Sequence, residues 1–89
     1  MKILKTATAG TLESSDIMIT IEPAEKNTIE IESVVGSVFG DDIRNCIETK
    51  LKDMDVRGAK MYARDKGARD CVIHARVETA VLRASKEGV

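Results

Sequence analysis

At 89 residues the chain has the length of one small domain, which buries about 60–65% of the surface its unfolded form exposes and leaves little room for a deep, walled active-site cleft. Its 14 basic and 15 acidic side chains leave a formal charge of −1 and its aromatic content is 2%, so it offers neither a long-range field for phosphate backbones and anionic membranes nor ring surface for stacking on unpaired bases. No apolar run approaches the 18 to 20 or so residues of a membrane span and the first twelve or so residues lack the apolar stretch of a secretory signal, so the expected compartment is the cytoplasm.

Along the chain, residues 3–12 read as an extended strand of weak alternation, and Glu13-Ser14-Ser15-Asp16 as the turn that follows it. Ile17, Ile19 and Ile21 then point one way and Met18, Thr20 and Glu22 the other, a period of two that marks a half-buried strand. After the break at residues 23–27, Ile29 and Ile31 alternate with Glu30 and Glu32 in a third strand. Strands two and three are expected to form an antiparallel hairpin.

From Val35 the spacing changes, because Val35, Phe39, Ile43, Cys46, Ile47, Leu51 and Met54 recur at three and four and share one helical face. Ser33 is its candidate N-cap. Gly36 and Gly40 each weaken the first turns by up to about 1 kcal/mol relative to Ala, which moves the secure part of the helix to Asp41 onward. Residues 56–64 alternate again, with Ala59, Met61 and Ala63 opposite Lys60, Tyr62 and Arg64, and Asp65-Lys66-Gly67 closes this fourth strand.

Residues 69–85 place Ile73, Val77, Ala80, Val81 and Ala84 on one face of a second helix. Cys71, Ile73, Ala75 and Val77 also alternate as a strand would, but the helical spacing that continues to Ala84 decides between the two. The expected fold is α+β: an antiparallel sheet of about four strands with two helices on one face, in the order β-β-β-α-β-α, as a single domain over residues 1–89. Its core is aliphatic, with Ile17, Ile19, Ile21, Ile29, Ile31, Ile43, Ile47, Leu51, Ile73, Val77 and Val81 contiguous and Phe39 and Tyr62 as its only rings.

Chemistry of the chain's own is hard to find. His74 is the sole histidine and has no nucleophile at a spacing that recommends a dyad or triad. Glu22, Glu30 and Glu32 fall on polar strand faces, and the glycines form no phosphate-binding loop. Cys46 and Cys71, 25 positions apart, match neither a disulfide scaffold nor a zinc spacing and read as reduced, mostly buried packing residues; no metal is expected. Ser14-Ser15-Asp16 remains, on the tip of a hairpin where side chains reach solvent. Ser and Asp favour turns for their own backbone hydrogen bonds, so by itself the tripeptide is a weak signal.

Two stretches carry more. Ala9-Gly10-Thr11-Leu12-Glu13-Ser14-Ser15-Asp16, and Asp65-Lys66-Gly67-Ala68-Arg69-Asp70-Cys71 running into Ala75-Arg76-Val77-Glu78, resemble the signature segments of the acyl carrier (γ) subunit of bacterial citrate lyase. The likeness spans nearly the whole chain, least at residues 23–27, and Arg69 stands where the pattern has an apolar residue. It implies that Ser14, the matching serine, carries a triphosphoribosyl-dephospho-CoA group through a phosphodiester. It also implies a non-catalytic carrier, whose arm bears acetyl and citryl thioesters between an acyl-transferase (α) and a citryl-lyase (β) subunit, and a prosthetic-group transferase that attaches the arm. The carrier subunit of malonate decarboxylase, which uses a similar arm, is the nearest alternative. A ferredoxin-like regulatory or assembly module without a covalent group is the alternative from another class.

Overall fold

The structure, a computed structural model, describes residues 1–33 and 40–85. The chain runs β1 (Ala7–Gly10), β2 (Ile17–Pro23), β3 (Thr28–Ser33), α1 (Gly40–Asp53), β4 (Ala59–Asp65) and α2 (Asp70–Ser85), the element order expected from the periodicities. The strands form one sheet in the order β1-β2-β4-β3. β1 is antiparallel to β2 and β2 to β4, whereas β3 is parallel to β4.

The sheet is therefore mixed, and the expected β2–β3 hairpin is not formed. β2 and β3 run in opposite directions with β4 inserted between them. One feature of the sequence accounts for this. Strand, helix and strand over residues 28–65 make a unit whose helix supplies the long crossover that parallel neighbours require. The burial follows the order: Ala59, Met61 and Ala63 of the central β4 are fully buried, while Ile29 and Ile31 of the edge strand β3 are half-buried.

The helices cover a single face of the sheet, α2 over β1 and β2 and α1 beside β3. Ile17, Ile19 and Ile21 point into that layer and are fully buried. They meet Ile43, Cys46, Ile47 and Leu51 of α1 and Ile73, Val77, Ala80, Val81 and Ala84 of α2 in one cluster, with Ile29, Ile31 and Met54 packed against it. The opposite face is open. Tyr62 lies there, 38% exposed, not in the core, because alternation along β4 turns it away from Met61 and Ala63; its hydroxyl donates to Glu32.

Other expectations need correction. The first strand is only the four residues of β1; upstream, Ile3 is buried and the Leu4 and Lys5 amides donate to the Ala84 carbonyl at the end of α2. Cys71 is exposed, since it falls off the stripe that Ile73, Val77 and Val81 define. Ser33 ends β3 and donates its hydroxyl to Asp65 at 2.9 Å, and the helix start it was expected to cap lies outside the described residues. Val35, Gly36 and Phe39 lie outside the described residues.

Candidate functional site

The turn between β1 and β2 is built around Asp16. Gly10, at φ 93°, precedes it, and a Cβ there would overlap the Ile17 carbonyl oxygen, so only glycine lets the two strands separate this tightly. Thr11 donates its hydroxyl to Asp16 Oδ2 at 2.6 Å and accepts the Glu13 amide at 3.2 Å. The Asp16 amide donates to the Glu13 carbonyl at 3.1 Å. Asp16 Oδ1 accepts the Ile17 amide at 2.7 Å.

The decisive partner comes from the other side of the core. Arg76 on α2, 60 residues along the chain, donates Nε to Asp16 Oδ1 and Nη2 to Oδ2, each at 3.0 Å. With these bonds each carboxylate oxygen of a residue only 9% exposed accepts two hydrogen bonds, which fills its acceptor capacity. The Arg76 hydrogen bonds, helped by Thr11 and the Ile17 amide and opposed by burial, hold the Asp16 carboxyl down at about 2. It is ionised throughout the physiological range.

The same turn is joined to the one that opens α2. The Ser15 amide donates to the Lys66 carbonyl and the Lys66 amide to the Asp16 carbonyl, both at 2.8 Å. Ser15 itself sits at φ 67°, a left-handed conformation that a non-glycine residue keeps only where its surroundings fix it. The Ala68 amide donates to Asp65 Oδ1 at 2.9 Å, and Asp65 is buried. Residues 9–16 and 65–78, far apart in sequence, thus form one structural unit.

Ser14 stands at the crest of this unit. It is exposed, as are Leu12, Glu13 and Ser15, and no hydrogen bond joins its hydroxyl to another described residue. It is an accessible hydroxyl on a fastened backbone. Arg69 is also exposed, with its carbonyl accepting the Val72 and Ile73 amides at the start of α2, so its charge is solvated where the pattern has an apolar residue.

None of the other singled-out residues joins Ser14. His74 is half-buried and lines a groove between the helices with Asp42, Asn45, Cys46, Thr49 and Asp70. Burial, followed by the charge of Asp70, pushes the Cys46 thiol up to about 11, which removes it as a thiolate nucleophile near neutral pH. Glu22, Glu30 and Glu32 are exposed. Among the described residues no group of three or more His, Cys, Asp and Glu is placed to hold a metal ion. No described helix is long and apolar enough to cross a membrane.

The sequence singles out Ser14 as a candidate but does not reveal the Asp16–Arg76 pair. Its signal was present: Arg76 borders the apolar stripe of α2, between Ile73 and Ala80, where a long cationic side chain reaches around a core edge. Asp16 immediately precedes the most apolar strand.

Comparison with known proteins gives the class to which this chain belongs. Residues 4–84 match the acyl carrier family described as malonate decarboxylase delta subunit (MdcD). The whole chain is 48% identical to the citrate lyase acyl carrier protein of Haemophilus ducreyi, covering 94% of that protein. Against the citrate lyase acyl carrier protein of Streptococcus uberis the identity is 54% over 86 residues, 96% of this chain and 85% of that one. The crystal structure of a Pseudomonas malonate decarboxylase hetero-tetramer in complex with malonate contains a chain of the same fold. That chain matches with a TM-score of 0.79 over 91% of this chain and 84% of its own length, at 18% identity. The chain belongs to the acyl carrier family of citrate lyase, whose members are carrier subunits and not catalytic ones.

Proposed function

We propose that this chain is the acyl carrier subunit of a citrate lyase complex and that Ser14 is its attachment site, the hydroxyl oxygen forming a phosphodiester with a triphosphoribosyl-dephospho-CoA arm. The observation that carries the reading is the exposed Ser14 hydroxyl at the crest of the unit where residues 9–16 and 65–78 meet. The residues fit such a group: an anchor must face solvent and be free of core packing, and Ser14 is both. The arm supplies a terminal thiol that holds acetyl and citryl as thioesters while the complex cleaves citrate to acetate and oxaloacetate.

What the chain itself contributes is placement. One end of the arm is tethered to a turn whose backbone is fixed, which raises the effective concentration of the acyl group at the sites of an acyl-transferase (α) and a citryl-lyase (β) subunit. A separate prosthetic-group transferase takes the Ser14 proton during attachment, as the hydroxyl oxygen bonds to the ribose-proximal phosphate of the donor and pyrophosphate leaves. The whole operates as a single domain in the cytoplasm.

Malonate decarboxylase is the second reading, favoured by the description of the matching family and by the Pseudomonas structure. Identities of 48% and 54% to citrate lyase carriers against 18% to the decarboxylase chain support the first. Reconstitution with both sets of partner subunits separates them. The charged chain restores citrate cleavage to lyase subunits and not malonate decarboxylation, Ser14→Ala abolishes that restoration, and Ser15→Ala retains it. Restoration of the decarboxylase alone refutes the lyase assignment.

A further inference from the structure

We propose that Asp16 and Arg76 are the positioning residues of the modification site: they hold the turn around Ser14 in one preformed shape, and the enzyme that attaches the arm reads that shape. The inference rests on Ser14 being the attachment site. Flexibility at the tip of a hairpin would make an anchor accessible, but this turn is built the opposite way. Of its residues, Thr11, Glu13, Ser15 and Asp16 all engage in hydrogen bonds, and the Ser14 hydroxyl engages with no described residue.

Three independent constraints converge on the same five or six residues. A glycine at φ 93° admits the close approach of the Ile17 carbonyl. A serine is held at φ 67° while its amide donates to Lys66. A buried carboxylate is gripped at both oxygens by one guanidinium from α2, a planar fork that fixes orientation as well as distance.

Surface turns do not ordinarily recruit a helix from across the core to fix them, so the structure invests in the turn's shape. A preformed turn removes the ordering cost that a modifying enzyme would otherwise meet on binding, and it aims the hydroxyl within the narrow tolerance that transfer to an oxygen needs. Arg76 acts on Ser14 only through Asp16. The side chain of Arg76 is 39% exposed and that of Asp16 13%, so the carboxylate is the inner member of the pair and the guanidinium its outer clamp.

The test uses the full-length chain without its arm, the transferase and its arm donor, with intact mass as the readout of rate. Arg76→Gln lowers kcat/KM for attachment about tenfold or more, mainly through KM, because a loosened turn binds less often in the productive shape. Arg76→Lys, which keeps the charge and loses the fork, recovers part of the loss. Asp16→Asn combined with Arg76→Gln is no worse than the poorer single variant, the non-additivity of residues acting as one unit. Thr11→Val, which removes only the hydroxyl bond to Asp16, gives a smaller loss of the same kind and serves where a pair variant does not fold. Asn27→Ala, at the other end of the sheet, leaves attachment at the wild-type rate.

Attachment at the wild-type rate in folded Arg76→Gln overturns the proposal. So do additive losses in the double variant, or an equal loss in Asn27→Ala, which makes the effect one of general stability. If the wild-type chain is modified elsewhere than Ser14, the site assignment itself falls. If it is modified on Ser14 and the pair variants are unaffected, only the positioning role falls.

Discussion

Two turns at opposite ends of β2 solve the same problem with different chemistry. Residues 24–27 leave the end of β2 and are fastened by Asn27, whose Nδ2 donates to the Val56 carbonyl at 2.8 Å and whose Oδ1 accepts the Gly58 and Ala59 amides at 2.8 and 2.9 Å. A left-handed glycine, Gly58 at φ 94°, packs against the Ala24 carbonyl there, as Gly10 packs against Ile17. The turn of residues 11–16 has the same plan. Its fastening residue, however, is charged and buried, and its partner is an arginine from another layer, whereas Asn27 is exposed and bonds only backbone. A neutral amide suffices where a turn merely connects strands. The ionic clamp is found where the turn presents Ser14.

The two glycines give the largest expected effect. Gly10→Ala forces overlap with the Ile17 carbonyl inside the sheet and should cost about 3 kcal/mol by urea denaturation. Gly58→Ala meets the Ala24 oxygen at 2.6 Å, in an exposed loop that can yield, and should cost about 1–2 kcal/mol. Equal losses would erase the distinction between a built turn and a connecting one.

The fastening residues come next. Asp16→Ala leaves the Ile17 amide and the Arg76 guanidinium without their acceptor and should cost about 2–3 kcal/mol. Asn27→Ala exposes its partners to water and should cost about 1 kcal/mol. Amide exchange locates the damage: residues 11–17 open in the first variant and 56–59 in the second.

Acid separates the two turns by sign. The Asp16 carboxyl lies near 2 in the folded chain against an ordinary value of 3.8, so its contribution to stability is fully present above 3.8 and is lost as pH falls through about 2. Asn27 has no titrating group. The Ile17 amide resonance should therefore follow an acid transition that the Gly58 amide does not share, and Arg76→Gln should move that transition to higher pH. An Ile17 titration unmoved by Arg76→Gln would deny Arg76 its place as the main cause of the depression.

The smallest effect concerns Ser15. Ser15→Gly relieves a left-handed residue at the expense of a freer unfolded chain and should stabilise by about 0.5 kcal/mol. Ser15→Ala, equally constrained, should fall within about 0.5 kcal/mol of wild type. Thermal denaturation of the two variants side by side checks both.

Much of this architecture is legible in the sequence because its periodicities are clean. Ile17, Ile19 and Ile21 can be placed inside from their spacing alone, and so can all five buried residues of α2. Strand order is not local information. The short link at residues 24–27 suggested a hairpin, and nothing in β2 or β3 themselves says that β4 will enter between them; the clue is the helix that follows β3, which makes parallel pairing possible. Tyr62 was misplaced by composition: a core short of rings does not thereby claim every ring in the chain, and its own alternation already put it beside Lys60 and Arg64. Ser14 is a candidate through its neighbours in sequence, and the structure places it exposed on its turn. The Asp16–Arg76 pair was not legible, because pairing across 60 residues is a property of the fold.

The central claim is that an arm hangs from Ser14, and the most direct test is the mass of the chain isolated from its native complex, with fragmentation to assign the modified residue. A single addition is expected on Ser14, equal in mass to the triphosphoribosyl-dephospho-CoA donor less the pyrophosphoric acid released when the ribose-proximal phosphate forms the phosphodiester. An unmodified chain in a complex that still cleaves citrate, or an addition on Ser15 or any other residue, would contradict it.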